Sequence, residues 1–335
     1  MSNAILRNAL LLLSLLHHHH GGTCSAAATR VSAAACAAFW TDAPRHVGGE
    51  SAIDFNETLA LIAAHQSTIS EVIVGQGVKV GANGSLGAAV PVGSWLLPRL
   101  RAAAPAARLV LAIGTESGVS GAALAEQLFA NASLVQALAD VASQWGADGL
   151  VLDLEDSCAV GCEECSCDAA WADSIADVLQ RLAAPLHAVG KTIAFTTNQK
   201  GAGYLHLKYF PQYLAAGVDR LLEMGSYGGT PRDFNVTRAV LAAVPPAQLA
   251  RVSFGACPLA DCQPKDASGQ RRGYYNATRL TAWIDELLQP AAAAHGVGLH
   301  VYDLAGFARP SHLPNFASSP PDEWWPVLRR FACPA

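Results

Sequence analysis

Trp145-Gly-Ala-Asp-Gly-Leu-Val-Leu-Asp-Leu-Glu-Asp156 is the stretch on which the reading of this sequence turns. Its aliphatic run is that of a buried strand, and side chains alternate along a strand. Val151, Asp153 and Glu155 therefore share one face, while Leu150, Leu152 and Leu154 share the other. A strand that is greasy on one side and ends in two acids on the other fits a barrel. The leucines face a helical layer, and the acids face the barrel axis at the strand's C-terminal end, where barrel enzymes carry their sites.

Working outward, the same pattern recurs along the chain. Short aliphatic runs at Ala37–Thr41, Glu71–Val74, Leu109–Ile113, Gly149–Leu154, Thr192–Thr196, Arg220–Met224, Arg251–Phe254 and Gly298–Leu304 read as strands. Ala/Leu-rich stretches at Phe55–His65, Gly93–Ala103, Leu134–Trp145, Ala169–Val189, Phe210–Ala216, Arg238–Val244 and Ala282–His295 read as helices between them. Strands alternating with helices imply parallel pairing. Right-handed crossovers over that many strands close into a (β/α)8 TIM barrel. A doubly wound open sheet is the rival, but no Gly-x-Gly-x-x-Gly follows the first strand.

The 335 residues, 51% of them hydrophobic, suffice to bury the core of one such barrel as a single domain. The charge is mildly acidic, 22 Lys and Arg against 27 Asp and Glu, with no basic stripe, so nucleic acid and anionic membranes are poor partners. Arg7 followed by the apolar run Ala9–Leu16 reads as a signal peptide ending near residue 28, with the barrel over residues 29–335 and a secreted, membrane-free, monomeric mature chain. Sequons begin at Asn56, Asn83, Asn131, Asn235 and Asn276, in keeping with export and glycosylation. Of nine cysteines, Cys24 leaves with the signal peptide and the rest can pair fully. Cys158, Cys162, Cys165 and Cys167 crowd the loop after strand four. Zinc is one reading of that cluster; disulfides shaping a loop over the barrel mouth are preferred in an oxidising compartment. Cys257 and Cys262 pair either with each other or with that cluster, and Cys36 with Cys333 is a plausible bridge across the closed ends. His17–His20 cannot all face one ion, and neither metal nor cofactor is expected.

Asp148-Gly-Leu-Val-Leu-Asp153-Leu-Glu155 resembles the DGxDxDxE motif on strand four of family 18 glycoside hydrolases, which include chitinases and di-N-acetylchitobiase. Arg220-Leu-Leu-Glu-Met-Gly-Ser-Tyr227 resembles their sixth-strand segment ending in Met-x-Tyr-Asp, and Pro246 to Gly255 their entry to strand seven. The resemblance implies a barrel that cleaves β-linked N-acetylglucosamine polymers or oligosaccharides with retention, using the substrate's own acetamido group. In it Glu155 matches the general acid, Asp153 the carboxylate that orients the acetamido group, and Tyr227 the tyrosine that hydrogen-bonds it. Val151 replaces the family's inner acid, Gly225 the Met before the Ser-Tyr pair and Gly228 the Asp after the tyrosine, and the eighth strand offers Tyr302 where many members place a sugar-stacking Trp. Endo-β-N-acetylglucosaminidases of family 85 share an apolar residue at Val151 but carry Asn at Asp153.

Other candidates come from position alone. Trp40 lies near the end of strand one and serves either as a stacking surface or as a core plug; Asp42 and Arg45 lie on the rim just beyond. Glu116 and Asn198 follow strands three and five, Glu223 is a candidate inward acid on strand six, and Tyr302 is a candidate floor. His300 reads as a packed histidine rather than a base, and Trp324 and Trp325 as a cap holding the last helix on the barrel. Two functions follow from these residues: a chitinase-like hydrolase, or a chitinase-like lectin or inhibitor that keeps the barrel without turnover.

Overall fold

The aliphatic runs form eight parallel strands, and hydrogen bonding between the first and last closes them into a barrel. The computed structural model describes residues 37–45, 47, 50–154, 169–197, 207–227, 231–257, 276–308 and 321–331. The barrel strands are β1 (Ala38–Asp42), β2 (Glu71–Val80), β3 (Arg108–Thr115), β4 (Gly149–Leu152), β5 (Thr192–Thr197), β6 (Arg220–Glu223), β7 (Val252–Ala256) and β8 (Gly298–Val301). Each pairs in parallel with its successor, and β8 pairs with β1 through Ala38 opposite His300. A short antiparallel return, Leu86–Gly87, extends β2 at its C-terminal end.

Two cores result from the alternation of side chains. The larger lies between strands and helices and takes Leu150, Leu152 and Leu154 from the β4 segment. The smaller fills the barrel and takes Val151 with Trp40, Val110, Ala194 and Leu222. The division is the one the alternating pattern of this segment predicts.

Helix ends explain why the acidic motif starts where it does. The helix Ala132–Trp145 is capped by Asn131, whose Oδ1 accepts from Ser133 N and Leu134 N, and Gly146 at φ 78° ends it in the left-handed conformation glycine tolerates best. Asp148 then ties the chain to β3: its Oδ2 accepts from Leu109 N at 2.8 Å and meets Arg101 at 3.0 Å. Asp219 repeats this device before β6, accepting from Ile193 N at 2.9 Å.

The N-terminal end of the barrel carries a feature that the sequence reading did not anticipate. Glu71 and Arg220 are paired inside it, Arg108 lies 3.9 Å from Glu71, and Arg108 donates to Thr192 Oγ1. Gly149 has no side chain because this group occupies the space: a Cβ there would overlap Thr192 Oγ1 and lie 2.5 Å from Thr192 O. Burial pulls the Arg220 pKa down to about 10.

Several boundaries differ from the sequence expectation. Strand two runs on to Val80 because a bulge between Val74 and Val78 lets it continue past the barrel wall. The helix Gly121–Ala130 was not expected from its Gly/Ala-rich start, although Ser120 caps it by accepting from Ala123 N. Pro231 opens the helix Pro231–Ala243 seven residues before the expected Arg238. The last helix, Pro321–Arg330, buries Trp324 and Trp325, and Trp325 stacks on Phe39 of β1 and on His65. Cys257, buried after β7, is disulfide-bonded and is the only cysteine among the described residues. The Cys158–Cys167 loop, Cys36, Cys262, Cys333 and residues 1–36 lie outside those residues. Among the described residues, no helix is long and apolar enough to cross a membrane, and no cluster of His, Cys, Asp and Glu could hold a metal ion.

Candidate active site at the C-terminal mouth of the barrel

Asp153 follows β4 immediately and continues its inward face, half-buried above Val151. Thr196 of β5, itself buried, donates from Oγ1 to Asp153 Oδ1 at 2.9 Å. That hydrogen bond fixes the carboxylate's rotamer. Thr196 thus supplies an anchor for Asp153 that the apolar Val151 beneath it cannot.

Across the mouth, Tyr227 is seated with unusual definition. The turn after β6 is locked by Ser226, whose hydroxyl donates to Gly255 O at 2.7 Å and accepts from Gly255 N at 3.1 Å. This lays the Tyr227 ring directly on Gly255, where a Cβ would overlap Tyr227 Cε1 and lie 2.5 Å from Cδ1. Tyr302 stacks on Tyr227 with ring centroids 6.1 Å apart, and Trp40 meets Tyr302 edge-on at 6.3 Å. Tyr302 and Tyr227, both partly exposed, thus form an aromatic floor of the kind on which the CH faces of a pyranose pack, whereas Trp40, 3% exposed and part of the inner core, is the core plug of its two readings.

Beneath that floor sits His300. It is fully buried, its Nδ1 lies 3.2 Å from Ser253 Oγ, and its ring meets Tyr227 at 5.6 Å. Burial first, and the Arg220 charge second, push its pKa down from 6.5 to about 3, so the folded protein holds a neutral imidazole. The unfolded chain takes up the proton near its ordinary pKa. Stability is therefore full above about pH 6.5 and falls as the pH drops toward 3, by about 2 kcal/mol between pH 7 and pH 5 from this residue alone. Urea unfolding across that range should show the slope, and His300→Gln should flatten it. An unchanged slope would show that His300 is not the residue responsible.

Of the remaining sequence candidates, Glu116 lies exposed on the rim, its carboxylate near Gly81 and Gly87 at the β2 extension. Glu223 is not an inward acid. Leu222 belongs to the inner core and Leu221 to the outer, so alternation turns Glu223 to the helical side, where it is buried and accepts from Gly225 N. The expectation failed because a four-residue strand of mixed polarity gives no parity signal of its own. Glu155 and Asn198 lie outside the described residues. Thr196, Ser226 and Gly255 escaped sequence reading because small, neutral residues carry no chemical flag.

Removing the Thr196 hydroxyl should loosen Asp153 without disturbing the fold. Thr196→Val should lower any turnover that depends on Asp153 about tenfold with little change in melting temperature, a magnitude set by hydrogen bonds to charged groups. Wild-type turnover in this variant would exclude a positioning role.

A parallel eight-stranded barrel thus carries a carboxylate and a pair of stacked tyrosines at its C-terminal mouth. Among solved structures, a similar one is catalytic domain 2 of the group II chitinase of Ostrinia furnacalis (12% identity, 90% of this chain and 98% of that one, TM-score 0.59). The family 18 N-acetylglucosaminidase of Paenibacillus barengoltzii is also similar (12% identity, 88% and 99%, TM-score 0.56), as is the spore cortex-lytic enzyme of Bacillus megaterium (11% identity, 88% and 73%, TM-score 0.58). At these identities the likeness is one of fold. No protein-family profile matches the sequence, and no curated protein matches it either.

Proposed function

We propose that this chain is a divergent member of glycoside hydrolase family 18 that cleaves β-linked N-acetylglucosaminides with retention of configuration. The observation that carries the reading is the placement of Asp153 on the inward face at the barrel mouth, hydrogen-bonded by Thr196, in a barrel with the fold of solved chitinases. In this reading Asp153 orients the substrate's acetamido group, whose oxygen attacks the anomeric carbon. Glu155, two positions further along the motif, gives its proton to the departing glycosidic oxygen as the C–O bond breaks. Asp153 stabilises the positive oxazolinium formed, and Tyr227 hydrogen-bonds the acetamido group. Water, deprotonated by Glu155, then opens the ring on the same face. Tyr302 supports the sugar. Export through the signal sequence, glycosylation and a disulfide-shaped loop are part of the same proposal.

A second reading, a sugar-binding barrel without turnover, is favoured by one observation. Val151 is fully buried in the apolar inner core where the family has an acid. Fluorophore release from glycosides of N-acetylglucosamine, chitobiose and chitotriose separates the two. Release with a β-configured first product supports the hydrolase. Binding of chitotriose without release supports the lectin, and neither binding nor release would remove both.

A further inference from the structure

Three glycines on the inward face of the barrel mouth are each overlain by a larger side chain. Tyr227 covers Gly255, as described above. Asp42, at the end of β1, lies over Gly75 of β2, with its Oδ1 2.6 Å from where a Cβ on Gly75 would sit. Gln76 of β2 lies over Gly114 of β3, its Cγ 3.4 Å from the corresponding point. One of these seats holds a residue the proposed chemistry needs. A second, Gln76, has no assigned role.

Gln76 is held there by an unfavourable backbone. Its φ is 51°, and it is the sole non-glycine residue at positive φ among those described. It occupies the bulge at which the β2–β3 register shifts between Val74 and Val78. Bulges re-aim side chains, and strained conformations of this kind collect at functional sites. Glycine would be the unstrained choice, and glycine stands on both sides, at Gly75 and Gly77. The chain nevertheless carries a long amide at the one position of the three where it is disfavoured.

The register shows what stands beside that seat. Ala112 pairs with Val151 and Ile113 with Leu152, so Gly114 stands level with Asp153 on the adjoining strand. Asp153 is thus flanked at its own level by Thr196 of β5, which binds it, and by Gln76 leaning over Gly114. Gln76 is exposed to the mouth, and its side-chain amide makes no hydrogen bond to any described residue.

We propose that Gln76 is a specificity-determining residue: its amide, seated over Gly114 beside Asp153, hydrogen-bonds the neutral, hydroxyl-bearing pyranose that the mouth binds. The inference rests on the glycosidase reading above. A carboxamide offers one acceptor and two donors without charge, which suits sugar hydroxyl or acetamido groups and gives no advantage to an anionic ligand.

The test compares Gln76→Gly and Gln76→Ala with wild type on a fluorogenic chitotrioside, reading KM, kcat and melting temperature. Glycine relieves the backbone and alanine does not, yet both remove the amide. The proposal predicts a melting temperature ~2–4 °C higher for Gln76→Gly and little changed for Gln76→Ala. It predicts KM raised about fivefold to tenfold in both, with kcat changed less. Wild-type KM and kcat in both variants would overturn it, leaving Gln76 a strained turn residue only. If the wild type itself neither cleaves nor binds chitotriose, the glycosidase reading fails first and this inference falls with it.

Discussion

In the glycosidase proposed here, Gly255→Ala should abolish most turnover of N-acetylglucosaminides, lowering kcat about 100-fold or more, in a protein that still folds. The reason is steric. The added methyl would overlap the Tyr227 ring and come within 2.8 Å of His300 Nε2, and the backbone under Tyr227 is held to β7 by the two hydrogen bonds of Ser226. Tyr227 must swing out, and with it goes its stack on Tyr302. Displacement by about 1 Å in an active site commonly lowers rate by about a hundredfold. The loss should fall on kcat, since the Tyr302 surface remains to hold the sugar. Steady-state kinetics together with circular dichroism would check it. Wild-type kcat in a folded Gly255→Ala protein would show that the Tyr227 ring does no work in its observed place.

The other large effect is on stability and lies at the opposite end of the barrel. Glu71 is almost fully buried between Arg220, also largely buried, and Arg108. Breaking a buried pair by removing one partner leaves an uncompensated charge, at a cost of about 3–5 kcal/mol, whereas replacing both partners by apolar residues is often neutral. Glu71→Gln should therefore lower the melting temperature by roughly 5–10 °C. Glu71→Leu combined with Arg220→Met should recover most of that loss. The recovery is expected because Arg108 has another partner in Thr192 and a side chain that is 36% exposed, so it can reach water. Differential scanning calorimetry of the single and double variants would check this. A double variant as unstable as Glu71→Gln would mean that the ion pair contributes more than charge balance.

The barrel was legible in the sequence because its strands are aliphatic runs of regular spacing and its helices are Ala/Leu-rich. The orientation of Asp153 was legible because β4 alternates Leu with other residues without interruption. Glu223 was misjudged because β6 has only four residues, and its inward partner Leu222 is as apolar as outward Leu221. The Glu71–Arg220 pair could not be seen because 149 positions separate the partners and only barrel closure joins them. The seats at Gly75, Gly114 and Gly255 are legible only in three dimensions, since a glycine records an absence whose occupant comes from another strand. One local signal did exist: Gly75-Gln76-Gly77 inside an aliphatic strand is the composition of a bulge.

The most direct measurement is turnover of a fluorogenic chitotrioside by Glu155→Gln beside wild type, with chitotriose binding measured on both. The account predicts clear release by the wild type, a fall in kcat of at least about 100-fold in the variant from loss of the general acid, and chitotriose affinity within a fewfold of wild type. Equal turnover by the two proteins would contradict it, because the proton would then come from elsewhere.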